Sequence, residues 1–403
     1  MARMEGLRSN VPCLFPAPPL LTALLAQGKH VDRLHIMDDN SRTIAEVKTA
    51  GLCVMRDQVV GLLLGIADKL GVPIHWEHKL TDLDLVGTGH VCAFESCSDG
   101  VARDRKTVRV GRALVAADGN YSNIRRKCVD QLGLGVTTKD WGLKMRYINA
   151  PAPPKGHALP PVIDGRSNYI IGSDGYVAQQ PDGQWSVMLG VTDDSPAWMR
   201  SRDPSPENIR HLRALCERIM SPVAEHLLTT DEIYATYFTT PEFAGAIVRC
   251  NTLAPTDWVA LVGDAAHAVA PYSGEGINSS LESASILALL LAAGKSCADY
   301  DAVRRPEAHA LFQWALRIGR IVNNKGAELF ASTFCTVALS IAQKLGLVAY
   351  TATDFTLGAK AAEHDIVPYT GILSMDVHQK DRCLHPCSIA CFYMCCCCCG
   401  RCD

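Results

Sequence analysis

The sequence predicts an α/β protein in which one domain is split along the chain and a β-rich domain is inserted between its parts. Three observations point there. At 403 residues and 48% hydrophobic, the chain is too long for one ordinary core and apolar enough for two. Two apolar runs, Ala113 to Ala117 and Val259 to Val262, each lead into a glycine–aspartate pair, the ending of a buried strand that feeds a turn. Between them, after a proline-rich stretch from Ala150 to Pro161, short strand-like runs alternate with glycine and aspartate turns, which marks the inserted domain.

The elements follow in order. Met1 to Pro19 has much proline and little period, so an irregular leader is expected. Val59, Val60, Leu63, Ile66, Ala67 and Leu70 recur at three- and four-residue steps and stop at Gly71, an amphipathic helix with a terminal glycine. Val72 to His75 reads as a short strand, and Val108 to Ala117 as apolar strand leading to Asp118-Gly119. In the inserted domain Tyr169 to Ile171, Ser186 to Val191 and Tyr234 to Thr240 read as strands, and Pro206 to His226 as a helix. Val259 to Val262 is a buried strand, Asn278 to Ala293 an apolar helix, and Leu311 to Val322 continues a helical period.

Composition excludes several function classes. Thirty-nine Lys and Arg against 42 Asp and Glu leave a net charge of -3 with no long basic block, so nucleic acid is not an expected partner. Of 18 cysteines, nine lie between Cys383 and Cys402 and nine are scattered singly, as buried thiols of a reducing compartment are. No signal peptide or transit peptide is evident, and the best apolar stretch, Leu329 to Tyr350, carries Lys344 and polar residues where a membrane span needs about 18 uncharged ones. A cytoplasmic protein is expected, with contact to an organelle membrane through the tail as the alternative.

The most informative stretch is Val262-Gly263-Asp264-Ala265-Ala266-His267, followed by Pro271-Tyr272-Ser273-Gly274-Glu275-Gly276-Ile277-Asn278. A strand ends in glycine and aspartate, small residues let the backbone approach a ligand, and a glycine-rich loop opens a helix. A carboxylate there can accept hydrogen bonds from a polyol, and the first amides of the helix favour negative charge in front of them. Asp118-Gly119-Asn120-Tyr121-Ser122-Asn123-Ile124-Arg125 is a second such strand-to-helix turn, and Arg56 opens the helix at Val59.

These runs resemble flavin-dependent aromatic monooxygenases of the p-hydroxybenzoate hydroxylase type, and among them kynurenine 3-monooxygenases. The first run matches their GD motif position by position, and the second their DGxxSxxR pattern without a gap. The resemblance covers about residues 30 to 330. It implies a partial FAD/NAD(P)-binding Rossmann-like domain split in sequence, an inserted β-sheet substrate domain and a helical C-terminal region. The expected boundaries are 1–143 and 241–305 for the flavin domain, 144–240 for the substrate domain, 306–378 for the helical region and 379–403 for a cysteine-rich tail. FAD contacts are implied at Arg56, Asp118, Gly119, Arg125, Gly263, Asp264, Ala265, Pro271, Gly274, Gly276, Ile277 and Asn278. Substrate contacts are implied at Arg33, Tyr272 and Asn323, with Arg33 as the carboxylate anchor.

The implied reaction uses NADPH and O2 to hydroxylate a small aromatic ring, kynurenine giving 3-hydroxykynurenine, through a flavin C4a-hydroperoxide. No protein nucleophile or metal is then required, and His267 reads as structural. Glu275 and Glu282-Ser283 depart from the family pattern, which has glutamine and Glu-Asp, and Ala50 stands where a tyrosine is usual. The G-x-G-x-x-G βαβ unit that grips FAD pyrophosphate is not present; Gly87-Thr88-Gly89 lacks the third glycine. Alternatives stay open: a related hydroxylase acting on another aromatic acid or a polycyclic ring, or a chain that holds no FAD. The tail, Cys383 to Cys402, reads as disordered, with lipid attachment or soft-metal binding as alternatives.

Overall fold

A computed structural model describes residues 23–323 and 369–370, apart from residues 25, 39, 41, 88–89, 99–100, 155, 157–158 and 172–174. The leader, Leu329 to Tyr350 and the cysteine-rich tail lie outside the described residues, as does most of Gly87-Thr88-Gly89. The strands are β1 (Lys29–Met37), β2 (Thr43–Cys53), β3 (His78–Leu83), β4 (Val91–Ser98), β5 (Val101–Arg109), β6 (Leu114–Ala116), β7 (Val136–Asp140), β8 (Lys144–Ala150), β9 (Ser167–Ile171), β10 (Gly175–Gln179), β11 (Trp185–Val191), β12 (Ala246–Cys250) and β13 (Val259–Leu261). The helices are α1 (Arg56–Lys69), α2 (Asn123–Leu132), α3 (Ala197–Arg200), α4 (Pro206–Ile219), α5 (Ser221–His226), α6 (Asp231–Thr239), α7 (Asp264–His267), α8 (Gly276–Ala292) and α9 (Cys297–Asn323).

The two apolar runs that begin and resume the divided domain meet as neighbours. Val259, Ala260 and Leu261 of β13 pair in parallel with Leu114, Val115 and Ala116 of β6. A parallel pair requires a long crossover, and here β7 to β12 with the helices among them lie between the two strands. Behind them Val259, Ala260, Leu261, Leu253, Cys128 and Tyr300 are buried in one apolar cluster with α2, α8 and α9. The α/β, Rossmann-like reading of the chain is thus the architecture observed.

The inserted domain is a six-stranded sheet in the order β2-β1-β9-β10-β11-β8, and the structure places residues 29–53 on this sheet as its outer two strands. One face packs on α4 to α6: Ile148, Val187, Val177 and Tyr169 lie in register across neighbouring strands and are all buried against Leu212, Tyr234 and Phe238. The next residue along each strand points to the opposite face. Ile36, Ile170, Tyr176, Met188 and Tyr147 form one such row across five strands, all half-buried.

Two expected strands are not strands. Tyr234 to Thr239 lies in the helix α6, with Thr240 its C-cap: the Thr230 side chain accepts from the Ile233 amide, Asp231 and Glu232 sit in the first turn, and Ile233, Tyr234, Tyr237 and Phe238 are the buried face. Aromatic and β-branched residues suggest strand, but the cap and the one-sided packing override that preference. Val72 to His75 is irregular; Gly71 takes a φ of +67° after α1 and regular pairing begins only at His78. The span Pro206 to His226 is helical but broken in two at Met220.

Candidate functional site

The site is built where β6 and β13 end side by side. After β13 the chain turns at Gly263, whose φ is +56° and where a Cβ would lie 2.8 Å from the Ser280 hydroxyl; both facts call for glycine. This turn delivers Asp264 to the surface while Ala265 and Ala266 are fully buried beneath it. The surrounding protein raises the Asp264 carboxyl above its ordinary range, and the Arg56 and Arg125 guanidiniums oppose that shift. Arg56 opens α1 with its guanidinium 5.7 Å from the Phe243 ring.

Arg125 joins the two turns. Its guanidinium donates to the carbonyl oxygens of Asp264 at 3.3 Å and Ala265 at 2.9 Å, and also to that of Asn120. The turn before it is self-contained: Asp118 accepts from the Asn123 amide at 2.7 Å, the Ile124 amide at 3.2 Å and the Ser122 hydroxyl, while Ser122 Oγ accepts from the Arg125 amide. Asp118 therefore caps α2, and Gly119, with φ of +81°, makes the bend possible. That engagement gives the aspartate, the serine and the arginine each a structural task at this spacing.

Beyond α7 the chain makes a short 3-10 turn at Pro271–Ser273 and reverses at Gly274, φ +68°, into α8. In the first turn of the helix the Ser279 amide bonds to the Glu275 carbonyl at 2.9 Å. The amides of Gly276 and Ile277 precede it and have no backbone acceptor among the described residues. A Cβ added at Gly274 or Gly276 would meet nothing within 4 Å, so open space lies in front of this helix start. Ile277 is exposed and Asn278 half-buried at the same end. Carboxylate, paired guanidiniums and exposed amides beside open space fit the polyol and ring of a flavin nucleotide.

The structure thus assembles Arg56, Arg125, Gly263, Asp264, Ala265, Gly274, Gly276, Ile277 and Asn278 around β13 and α8. It does not bring Arg33 to them. Arg33 stands two residues from His35, which stacks on Tyr169 at 5.2 Å between ring centres, and Arg33 pairs with Asp164 at 3.9 Å. That is the face of the sheet packed on helices, opposite the row ending in Tyr147. The side chains of Tyr272 and Asn323 lie outside the described residues.

His267 is buried, accepts or donates at Ser283 Oγ over 2.8 Å, and is pushed down to about 3 by burial and the nearby Arg304 charge. It is neutral and structural. Sequence reasoning missed Tyr147 and Tyr176, whose phenols face the Arg56 side of the sheet; only the strand register, invisible before pairing is known, identifies them.

Residues 203–315 match the family described as FAD binding domain. The resemblance to FAD-dependent aromatic-ring monooxygenases stands. The chain is 27% identical over 265 residues to a kynurenine 3-monooxygenase of Salinispora tropica, covering 64% of this chain and 55% of that protein. It is 28% identical over 238 residues to violacein synthase of Chromobacterium violaceum, covering 57% and 51%. The chain thus spans about half the length of the curated relatives it matches. Among solved structures, PqsL of P. aeruginosa in complex with 2-aminobenzoylacetate aligns with a TM-score of 0.59 at 19% identity, covering 80% of this chain and 84% of that one. A 2-methyl-3-hydroxypyridine-5-carboxylic acid oxygenase aligns with a TM-score of 0.56 at 16% identity, covering 87% and 82%. No helix among the described residues is long and apolar enough to cross a membrane.

Proposed function

We propose that this chain carries the flavin and substrate sites of an FAD- and NADPH-dependent monooxygenase that hydroxylates a small aromatic ring, kynurenine or another 2-aminoaryl ketone. The observation that carries this reading is Asp264 at the end of β13, flanked by two guanidiniums and followed by the amides that open α8. FAD, when bound, would accept hydride from NADPH and activate O2, so the protein's part is to bind, orient and keep water out.

Asp264 would accept the ribityl hydroxyls, and the Gly276 and Ile277 amides would face the polar edge of the ring system. Arg125 does not reach the ligand in this scheme; it holds the two turns together from behind. The substrate ring would lie on the row Ile36, Ile170, Tyr176, Met188 and Tyr147, the sheet face turned away from the helical layer. Neither phenol has a hydrogen-bond partner among the described residues, and burial pushes Tyr176 up to about 12. Both are therefore neutral donors at physiological pH, suited to a ring carbonyl or hydroxyl oxygen. The name of PqsL's ligand and those of the kynurenine enzymes supply the 2-aminoaryl ketone class.

The test is substrate-dependent NADPH oxidation by the FAD-loaded chain across kynurenine, 2-aminobenzoylacetate and an unrelated aromatic acid. A hydroxylated product from one of the first two, identified by mass, supports the reading. Flavin uptake with no aromatic product from any of them would refute the substrate class.

A further inference from the structure

A buried polar cluster that the proposed chemistry leaves unused holds the start of α8 from behind. Glu275, the residue before the helix, is 7% exposed, and the Tyr369 phenol donates to its Oε2 at 2.7 Å. The Tyr369 ring covers the guanidinium of Arg304 at 5.6 Å. Arg304, fully buried, donates to Ser279 Oγ at 2.8 Å and Ser283 Oγ at 2.9 Å and pairs with Glu282 at 3.0 Å. Tyr369 thus joins a segment more than 40 residues beyond α9 to the loop that presents the Gly276 and Ile277 amides.

The position of Glu275 gives this clasp a chemical consequence. Glu275 carries a carboxylate adjoining the amides proposed to face the flavin. Hydride transfer from NADPH delivers two electrons and one proton, leaving the flavin ring with one additional negative charge and releasing NADP+. A fixed carboxylate in a partly dry site opposes that gain through like-charge repulsion, which water screens less there.

We propose that Glu275, held in place by Tyr369, tunes the flavin by disfavouring its reduced form, so that the bound ring has a lower reduction potential than glutamine at this position would confer. The inference rests on the FAD reading above, and Glu275 acts here as a positioning and charge-setting residue with no part in bond making.

The experiment compares the full chain with its E275Q and Y369F variants, each loaded with FAD, by dye-equilibrated potentiometry and by titration with oxidised and reduced FAD. E275Q keeps an acceptor for the phenol and loses only charge. Its midpoint potential should rise, and its preference for reduced over oxidised FAD should grow on the order of tenfold, as expected for one charge at about 10 Å with an effective dielectric of about 20. Y369F removes no formal charge; it should lower the thermal midpoint and move the potential less. An unmoved or lowered potential in E275Q, or equal shifts in both variants, would overturn the proposal. A wild-type chain that takes up no FAD defeats the FAD reading itself, whereas bound FAD with an unmoved potential defeats only the role of Glu275.

Discussion

Asp264 and His267, three residues apart, divide one turn between ligand and scaffold. Asp264 is exposed, so Asp264→Ala should weaken FAD binding roughly 10- to 100-fold, the range for charge-assisted bonds, with a smaller change in melting temperature than at Arg125. Flavin fluorescence titration reads the first and calorimetry the second. Arg125 behaves oppositely: it is buried and satisfies three carbonyl oxygens, so Arg125→Ala should cost about 3 kcal/mol of stability in denaturant unfolding. His267 has a folded pKa of about 3, depressed below the ordinary 6.5. The unfolded chain then binds the extra proton first as pH falls, so this histidine's contribution is intact above about pH 6.5 and is lost progressively toward 3. A His267→Asn variant should show a shallower loss of stability between pH 6 and pH 4.

Among elements, the glycine–aspartate turns were readable because their chemistry is local. Gly263 needs positive φ, and Asp118 needs the amides five and six positions ahead; both demands are met within a few residues of chain, whereas the closeness of Ser280 to Gly263 is not. Gly263→Ala should therefore destabilise the β13 to α7 turn by roughly 1–3 kcal/mol, measured by urea unfolding, with loss of flavin uptake. The helix α6 was misread because its aromatic and threonine content favours strand, and only its packing on the sheet, through Tyr234, Tyr237 and Phe238, settles the matter. The same non-local dependence hid Tyr147 and Tyr176. Their shared face follows from the register of β8, β11 and β10, which no single segment contains.

For the molecule as a whole, the divided α/β architecture was legible because two apolar runs with matching endings frame a change in composition, and they do pair in parallel as β6 and β13. The placement of residues 29–53 on the six-stranded sheet was not, since alternating polar and apolar residues suit either sheet equally. That placement carries Arg33 to the helical face, where it pairs with Asp164, and leaves Arg56 beside Tyr147. The central claim is that the mouth formed by Asp264 and the start of α8 receives a flavin. It is tested most directly by a crystal structure of the chain grown with excess FAD. The ribityl hydroxyls are expected within hydrogen-bonding distance of the Asp264 carboxylate and the ring's polar edge against the Gly276 and Ile277 amides. Density for FAD elsewhere, or side chains filling that space, would contradict it.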